Sequence, residues 1–288
     1  MPPPCGARLL SLNSVGHRHR HRHRGHLSLV AAGVAALAAC FLMPAIASAG
    51  PSDVTLPRAH AGFDHQIGGA YTPPAGVAVV SRDHNDSPAA GKYNICYVNA
   101  FQAQPGAEKD WDADLLLRDA NGDIVYDDGW GEALLDVRTA DKRQRVAAKV
   151  GTWIDECASK GFDAVEPDNL DSFSSSDKLL TKAQAKSFTK LLSAHAHDKG
   201  LAIAQKNTSE LSGNRVANGL DFAIAEECGR WDECDQHSSA FGDHVIVIEY
   251  AAEGLSKACE GWGDELSIVR RDLDVSPAGS KGYLRETC

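Results

Sequence analysis

The chain has 288 residues and carries 29 Lys and Arg against 39 Asp and Glu, a formal net charge of −10. Such a field repels nucleic acid and favours cationic ligands. Neither a Gly-rich dinucleotide fingerprint nor a P-loop is present to argue for a nucleotide.

Residues 1–49 read as an export signal. A His/Arg alternation runs from His17 to His26, an apolar stretch covers 27–46, and Ala47-Ser48-Ala49 supplies a small-x-small cleavage box before Gly50. The His/Arg tract has metal-binding chemistry, but it precedes the apolar region and leaves with it. Leu37-Ala38-Ala39-Cys40 is similar to a lipobox that would anchor the product through Cys40. Phe41, Leu42 and Met43, however, continue the apolar run where a polar tether is expected. Secretion of a soluble protein, with no membrane association in the mature form, is therefore expected. Losing five arginines and no acid leaves 24 basic and 39 acidic residues, a net charge of −15.

A short extension is expected over 50–61, then one domain over 62–288. Strands are predicted at 63–67, 77–81, 93–99, 161–165, 201–204, 221–225, 245–249 and 266–269, with 114–117 a further candidate. A helix is predicted over 140–159, where Val146, Val150, Trp153, Ile154 and Cys157 recur at three- and four-residue spacing. A second begins at a capping box, Thr181-x-x-Gln184, with Phe188, Leu191, Leu192 and His195 on its buried face. Lys160-Gly161 and Lys199-Gly200 each stop a helix just before a strand. Strands that are continuous apolar runs are those of a parallel sheet buried on both faces. The fold class is α/β: a single (β/α)8 TIM-type barrel with disulfides, the runner-up being a doubly wound open sheet.

Six cysteines remain after the leader: Cys96, Cys157, Cys228, Cys234, Cys259 and Cys288. An even number behind an export signal predicts three disulfides. Cys228–Cys234 closes a small loop and Cys259–Cys288 pins the terminus. A zinc site built from Cys228, Cys234 and His237 is the rival reading.

Polar residues gather where the predicted strands end. In chain order they are Asp64 and Gln66, Asn99, then Glu166, Asp168, Asn169 and Asp171, then Lys206 and Asn207, Glu226 and Glu227, Glu249 and Tyr250, and Arg271 and Asp272. Acids converging on one barrel mouth suit glycosidic bond cleavage, where one acid protonates the leaving oxygen and another stabilises or attacks C1. Glu166 and Asp168 stand two apart around Pro167, and such a pair drives its pKa values apart. Strand alternation turns only one of Glu226 and Glu227 inward, and the pattern leaves open which. Lys206 is a counter-ion or a substrate contact. Tyr250, Trp130 and Trp231 are sugar-stacking platforms or rings partly buried under loops.

Four runs together, Phe63-Asp64-His65-Gln66-Ile67-Gly68-Gly69, Val165 to Asp171, Gln205-Lys206-Asn207-Thr208 and Glu226-Glu227-Cys228-Gly229, resemble the glycoside hydrolase family 114 domain, a family of endo-α-1,4-polygalactosaminidases. The resemblance spans nearly all of the chain from Gly62 to Cys288. It implies a TIM-type barrel that cleaves α-1,4-linked galactosamine polymers internally, with no metal or organic cofactor. By motif the family's catalytic aspartate falls on Asp168. Its glutamate falls on the Glu226-Glu227 pair, with Glu226 preferred and Glu227 the fallback. In that reading Asp168 is nucleophile or base, and Glu226 is the proton donor with its pKa raised by burial or neighbouring acids. Asp64, Gln66, Asn99, Glu166, Asn169, Asp171, Lys206, Asn207 and Tyr250 would hold the sugar. The expected partner is an amino-sugar polysaccharide, cationic near neutral pH, met by a monomer. A non-catalytic carbohydrate-binding protein on the same barrel scaffold is the alternative. The chain has no G-x-S-x-G elbow or H-E-x-x-H helix for an esterase or peptidase.

Overall fold

Short strands that are apolar on both faces need cover on both sides, and this chain supplies it by curling one sheet around its own side chains and laying helices outside. The structure is a computed structural model that describes residues 54–288. The expected leader, its His/Arg tract and Cys40 lie outside the described residues. The elements are β1 (Gly62–His65), β2 (Val77–Asp83), β3 (Tyr93–Asn99), β4 (Gln102–Ala103), β5 (Ala133–Leu134), α1 (Ala140–Lys160), β6 (Ala164–Asp168), α2 (Lys182–Asp198), β7 (Ala202–Lys206), α3 (Arg215–Asn218), β8 (Phe222–Glu226), α4 (Cys234–Phe241), β9 (Val245–Glu249), α5 (Ala252–Trp262), β10 (Ser267–Arg271) and β11 (Arg285–Glu286).

Strands β1, β2, β3, β6, β7, β8, β9 and β10 lie side by side in chain order, each parallel to its neighbours, and β11 adds antiparallel to β10. The sheet curls until β1 lies alongside β10. Side chains bridge that seam: Ala61 N donates to Ser267 Oγ at 2.9 Å, and Arg285 Nη2 to Phe63 O at 2.8 Å. Alternate residues sort to the two faces. Phe63, Val79, Ile95, Ala164, Ala202, Phe222, Ile246 and Val269 fill the concave interior. Cys96, Val165, Ile203, Ala223 and Val247 point outward into the helix layer.

Helix α1 follows its predicted span. Thr139 caps it by accepting from Lys142 N, Gly161 closes it at φ 87°, and Val146, Val150, Ile154 and Cys157 form its buried stripe. Helix α2 carries the predicted capping box of Thr181 and Gln184. Its buried face differs slightly: His195 is half-exposed and bonds Asp155 at 2.8 Å instead of entering the core.

Two expectations need correction. A helix does not follow every strand, because β1–β2 and β2–β3 are joined by loops. Those connections hold only about ten residues each and are rich in Gly and Pro, short of the dozen or so a helical crossover needs. Segment 114–117 is no member of the curled sheet. Leu115, Leu116 and Leu117 are instead buried in an excursion between β3 and α1, where Leu116 bridges Leu135 and the β4–β5 pair forms a small second sheet.

Three disulfides join Cys96–Cys157, Cys228–Cys234 and Cys259–Cys288. The first ties β3 to α1, the second braces the loop after β8, and the third fastens the C-terminus to α5. Both sulfurs of the rival zinc set are consumed in the second bond, and His237 faces Ser212 Oγ at 3.4 Å.

Candidate active site

The eight parallel strands end on His65, Asp83, Asn99, Asp168, Lys206, Glu226, Glu249 and Arg271. Each therefore carries apolar chemistry along its length and a polar group at its C-terminal mouth, where a sheet of this kind presents its site. Asp168, Lys206 and Glu226 are strand residues, held by the ladder, where the sequence had placed them just beyond the predicted strand ends. Pro167 has no N–H to give, and the β6–β7 ladder stops at Val165↔Ile203. Beyond that point side chains take over the join.

Lys206 is the centre of that join. Its side chain is 1% exposed, and Nζ stands 2.9 Å from Glu166 Oε1, 3.2 Å from Asp168 Oδ2 and 3.5 Å from Glu226 Oε2. Tyr97 closes it from the side, with the ring centroid 5.6 Å from Nζ. Burial opposes the charge on Lys206, but Asp168, Glu166 and Glu226 outweigh it and hold the ammonium well above its usual range. With 3.2 Å and 3.5 Å to one shared nitrogen, Asp168 Oδ2 and Glu226 Oε2 stand at most the sum of the two apart, about 6.7 Å.

Glu226 is held by two further residues. Asn207 clamps it twice, donating Nδ2 to Oε2 at 2.9 Å and accepting the Glu226 backbone N–H at 2.8 Å. Tyr250 Oη donates to Oε1 at 2.5 Å. Glu166 lies beneath, fully buried, taking Ser81 Oγ at 2.5 Å as well as Lys206. The residue after each of these strand ends is left-handed: Asn169 at φ 66°, Asn207 at φ 49° and Glu227 at φ 56°. That reversal breaks the alternation directly after the acid and throws the next side chain elsewhere.

Above these groups lies a cleft of about 680 Å³. Asp168 and Glu226 form its floor, with side chains 14% and 23% exposed. Asp83, Asp127, Glu132, Asp171 and Asp274 add five more carboxylates to its walls, and no Lys, Arg or His lines it among the described residues. Trp130, 57% exposed, and Tyr250 supply aromatic surface.

The sequence profile of glycoside-hydrolase family GH114 matches residues 43–288. The chain belongs to this family. It is a glycoside hydrolase. Among solved structures, Aspergillus fumigatus Ega3 in complex with galactosamine is 21% identical with a TM-score of 0.65, over 82% of this chain and 100% of that one. A variant of the glycoside hydrolase domain of Pseudomonas aeruginosa PelA is 14% identical with a TM-score of 0.51, over 80% of this chain and 98% of that one. At these identities the likeness is one of fold. No curated protein matches the chain.

In this GH114 chain the predicted site residues separate into groups. Asp168, Asn169, Asp171, Asn207, Glu226 and Tyr250 meet at the cleft. Glu166 and Lys206 are buried under it, and Asn99 stands behind Glu132, donating Nδ2 to Oε2 at 2.8 Å. Asp64 and Gln66 are fully buried and line no part of the cleft. Asp64 takes Gln66 Nε2, Tyr71 Oη and Arg285, and Gln66 takes Arg82 Nε, so the pair knits the seam side of the sheet. Glu227 turns away to Arg230 at 2.6 Å. Trp231 is 60% exposed and off the cleft, its ring 4.8 Å from the Arg230 guanidinium. Glu249 faces outward and accepts from Gly229 N at 2.7 Å, bracing the Cys228 loop.

Glu132 and Asp83 were not anticipated. Glu132 sits in the excursion, far from any strand signal, and Asp83 lay two residues beyond the predicted end of its strand. The expected rise in the Glu226 pKa does not occur. Burial favours its neutral form, but the Lys206 ammonium and the bonds from Tyr250 and Asn207 hold it well below the usual carboxylate range. The raised acids are others: burial, with Asp168 and Glu226 beside it, pushes Asp171 up to about 6, and burial lifts Glu132 despite Asn99.

Proposed function

We propose that the protein is a secreted, endo-acting hydrolase of α-1,4-linked galactosamine polymers, using Asp168 and Glu226 as its two carboxylates. The observation that carries this reading is a cleft with seven acids, no basic residue among the described ones, and those two acids at its floor. A chain of deacetylated galactosamine presents one ammonium per unit, and an acidic cleft concentrates it. The curled sheet is read as a TIM-type barrel with helices missing after β1 and β2. Residues 1–49 are read as the export signal, 50–61 as an extension and 62–288 as the catalytic domain. Three disulfides fit an oxidising destination.

A ceiling of about 6.7 Å between Asp168 Oδ2 and Glu226 Oε2 favours the short separation of about 5–5.5 Å used by retaining enzymes over the wider inverting range. In a double displacement Glu226 must first take up a proton, because its depressed pKa leaves it ionised in the free site; an Asp168 carboxylate oxygen then attacks C1 while the glycosidic oxygen takes that proton and leaves. A covalent ester then links Asp168 to the sugar. Esterification removes a negative charge beside Glu226, which makes Glu226 still more acidic and ready to act as a carboxylate. It then takes a proton from water, whose oxygen attacks C1 and frees Asp168. Lys206 holds both carboxylates in place, and Asn207 and Tyr250 aim Glu226.

The test is incubation with galactosamine polymers of graded acetylation at low and high salt. Shortened oligosaccharides, formed fastest from the deacetylated polymer and slowed by salt, support the reading. Retention without cleavage, or a salt-insensitive preference for full acetylation, defeats it.

A further inference from the structure

Beside the cleft lies a second pocket of about 300 Å³, walled by His84, Gln102, Ala107, Trp111, Lys149 and Trp153. It is not separate from the first: Asp83, Asn85 and Gln104 line both. We propose that the two form one groove and that the second pocket holds a further amino-sugar unit of the same bound chain, displaced from the scissile bond. This rests on the hydrolase reading above.

The wall is stiff and its unmet polarity fits such a unit. Trp111 and Trp153 meet edge to face at 5.9 Å, and His84 stacks on Trp153 at 5.3 Å, so the rings fix one another. Gln102 is 2% exposed. Its Nε2 donates to Ser172 Oγ at 3.0 Å, while Oε1 has no hydrogen-bond partner among the described residues. A buried amide oxygen left without a donor is costly unless a ligand or water supplies one. At the junction, Asp83 Oδ1 accepts both the backbone N–H and Nδ2 of Asn85, at 2.9 and 2.8 Å, which leaves Oδ2 without a donor among the described residues. Both of these groups are acceptors, and the third unmatched atom in the wall, His84 Nδ1, donates or accepts according to its tautomer. An ammonium and hydroxyls are what they lack. The one lysine in the wall, Lys149, is already engaged by the Asp110 carbonyl and by the Trp111 ring at 4.1 Å.

A subsite on this side makes the enzyme favour chains that overhang the cut, so cleavage rates should rise with oligomer length. Ala107 lines the second pocket and not the first. Ala107→Arg fills that space and repels an ammonium, and Gln102→Leu removes the unmet acceptor at similar volume. The experiment measures kcat/KM on galactosamine oligomers of graded length for the wild type and both variants. The proposal predicts at least a tenfold preference for long over short oligomers in the wild type, reduced fivefold or more by Ala107→Arg and in the same direction by Gln102→Leu. An equal preference in all three proteins, or none in the wild type, overturns it. If the wild type cleaves no oligomer, the hydrolase reading has failed, and calorimetric titration with the same oligomers decides the subsite. Weaker binding of long oligomers alone by Ala107→Arg then supports it, and equal affinity or no binding overturns it.

Discussion

Replacing Lys206 with Met tests the electrostatics of the site. The ammonium, 1% exposed, is within 3.5 Å of three carboxylates, and its loss leaves Glu166, Asp168 and Glu226 crowded with no cation among them. Removing one partner from a buried ion pair costs about 3–5 kcal/mol because the remaining charge is uncompensated. Part of that is relieved by protonation. Without Lys206, Glu166, already raised by its burial, climbs further and Glu226 loses the cation that depresses it, so the folded protein binds more protons through the acid-to-neutral range. The variant's stability must then fall as pH rises there. The wild type behaves oppositely at Glu226, whose depressed folded pKa contributes stability above the unfolded value of 4.5 that is lost as pH falls. The gap between the two stability curves should therefore be about 3–5 kcal/mol at pH 7 and narrow as pH falls, the wild type's own share at Glu226 going only between pH 4.5 and about 2. Urea unfolding at pH 4, 5.5 and 7 reads this directly. Because Glu166 shares the ammonium, the cost of Lys206→Met should shrink in a Glu166→Gln background. A penalty equal at pH 4 and pH 7, or below about 1 kcal/mol at pH 7, would refute the reasoning.

Tyr250→Phe removes the 2.5 Å bond that helps depress Glu226. The alkaline limb of its kcat/KM profile should move to higher pH, and an unmoved limb would show that Tyr250 does not tune this acid. Glu132, held by Asn99 and Asn169 and in no ion pair among the described residues, is positioned to meet a substrate ammonium. Glu132→Gln should raise KM for deacetylated polymer about tenfold, the scale of one charge-assisted bond, and change it less for acetylated polymer. Burial pushes Glu249 up to about 7. An acid with a raised folded pKa destabilises as pH climbs from 4.5 to that value, so Glu249→Gln should stabilise by about 1–3 kcal/mol at pH 8 and hardly at all at pH 4 in denaturant titrations.

The parallel strands and α1 and α2 were legible because each joined a periodic apolar pattern to a punctuating residue, as Thr181 with Gln184 and Gly161 do. Strand ends were read too early. Glu166, Lys206 and Arg271 are polar yet belong to strands, since the interior of this sheet is polar at its mouth and only the ladder shows how far a strand runs. The Glu226 and Glu227 choice was hidden for another reason. It depends on a positive φ at Glu227, where Asn169 and Asn207 at least carry a residue type tolerant of that region and a glutamate gives no such sign. Asp64 and Gln66 were expected at the sugar and lie buried away from the cleft, because burial is invisible in a motif. Their partners Tyr71, Arg82 and Arg285 come from remote segments. Glu132 arrives in the cleft through a long non-repetitive excursion that no periodicity announces.

The most direct measurement is turnover of a deacetylated galactosamine polymer by Asp168→Asn, Glu226→Gln and Glu227→Gln, each verified as folded by its unfolding transition. Opposing carboxylates at the cleft floor predict losses of about a thousandfold or more for the first two, and wild-type rates for the third, whose side chain is engaged by Arg230. Near-normal turnover by Asp168→Asn, or an inactive Glu227→Gln, would contradict the account.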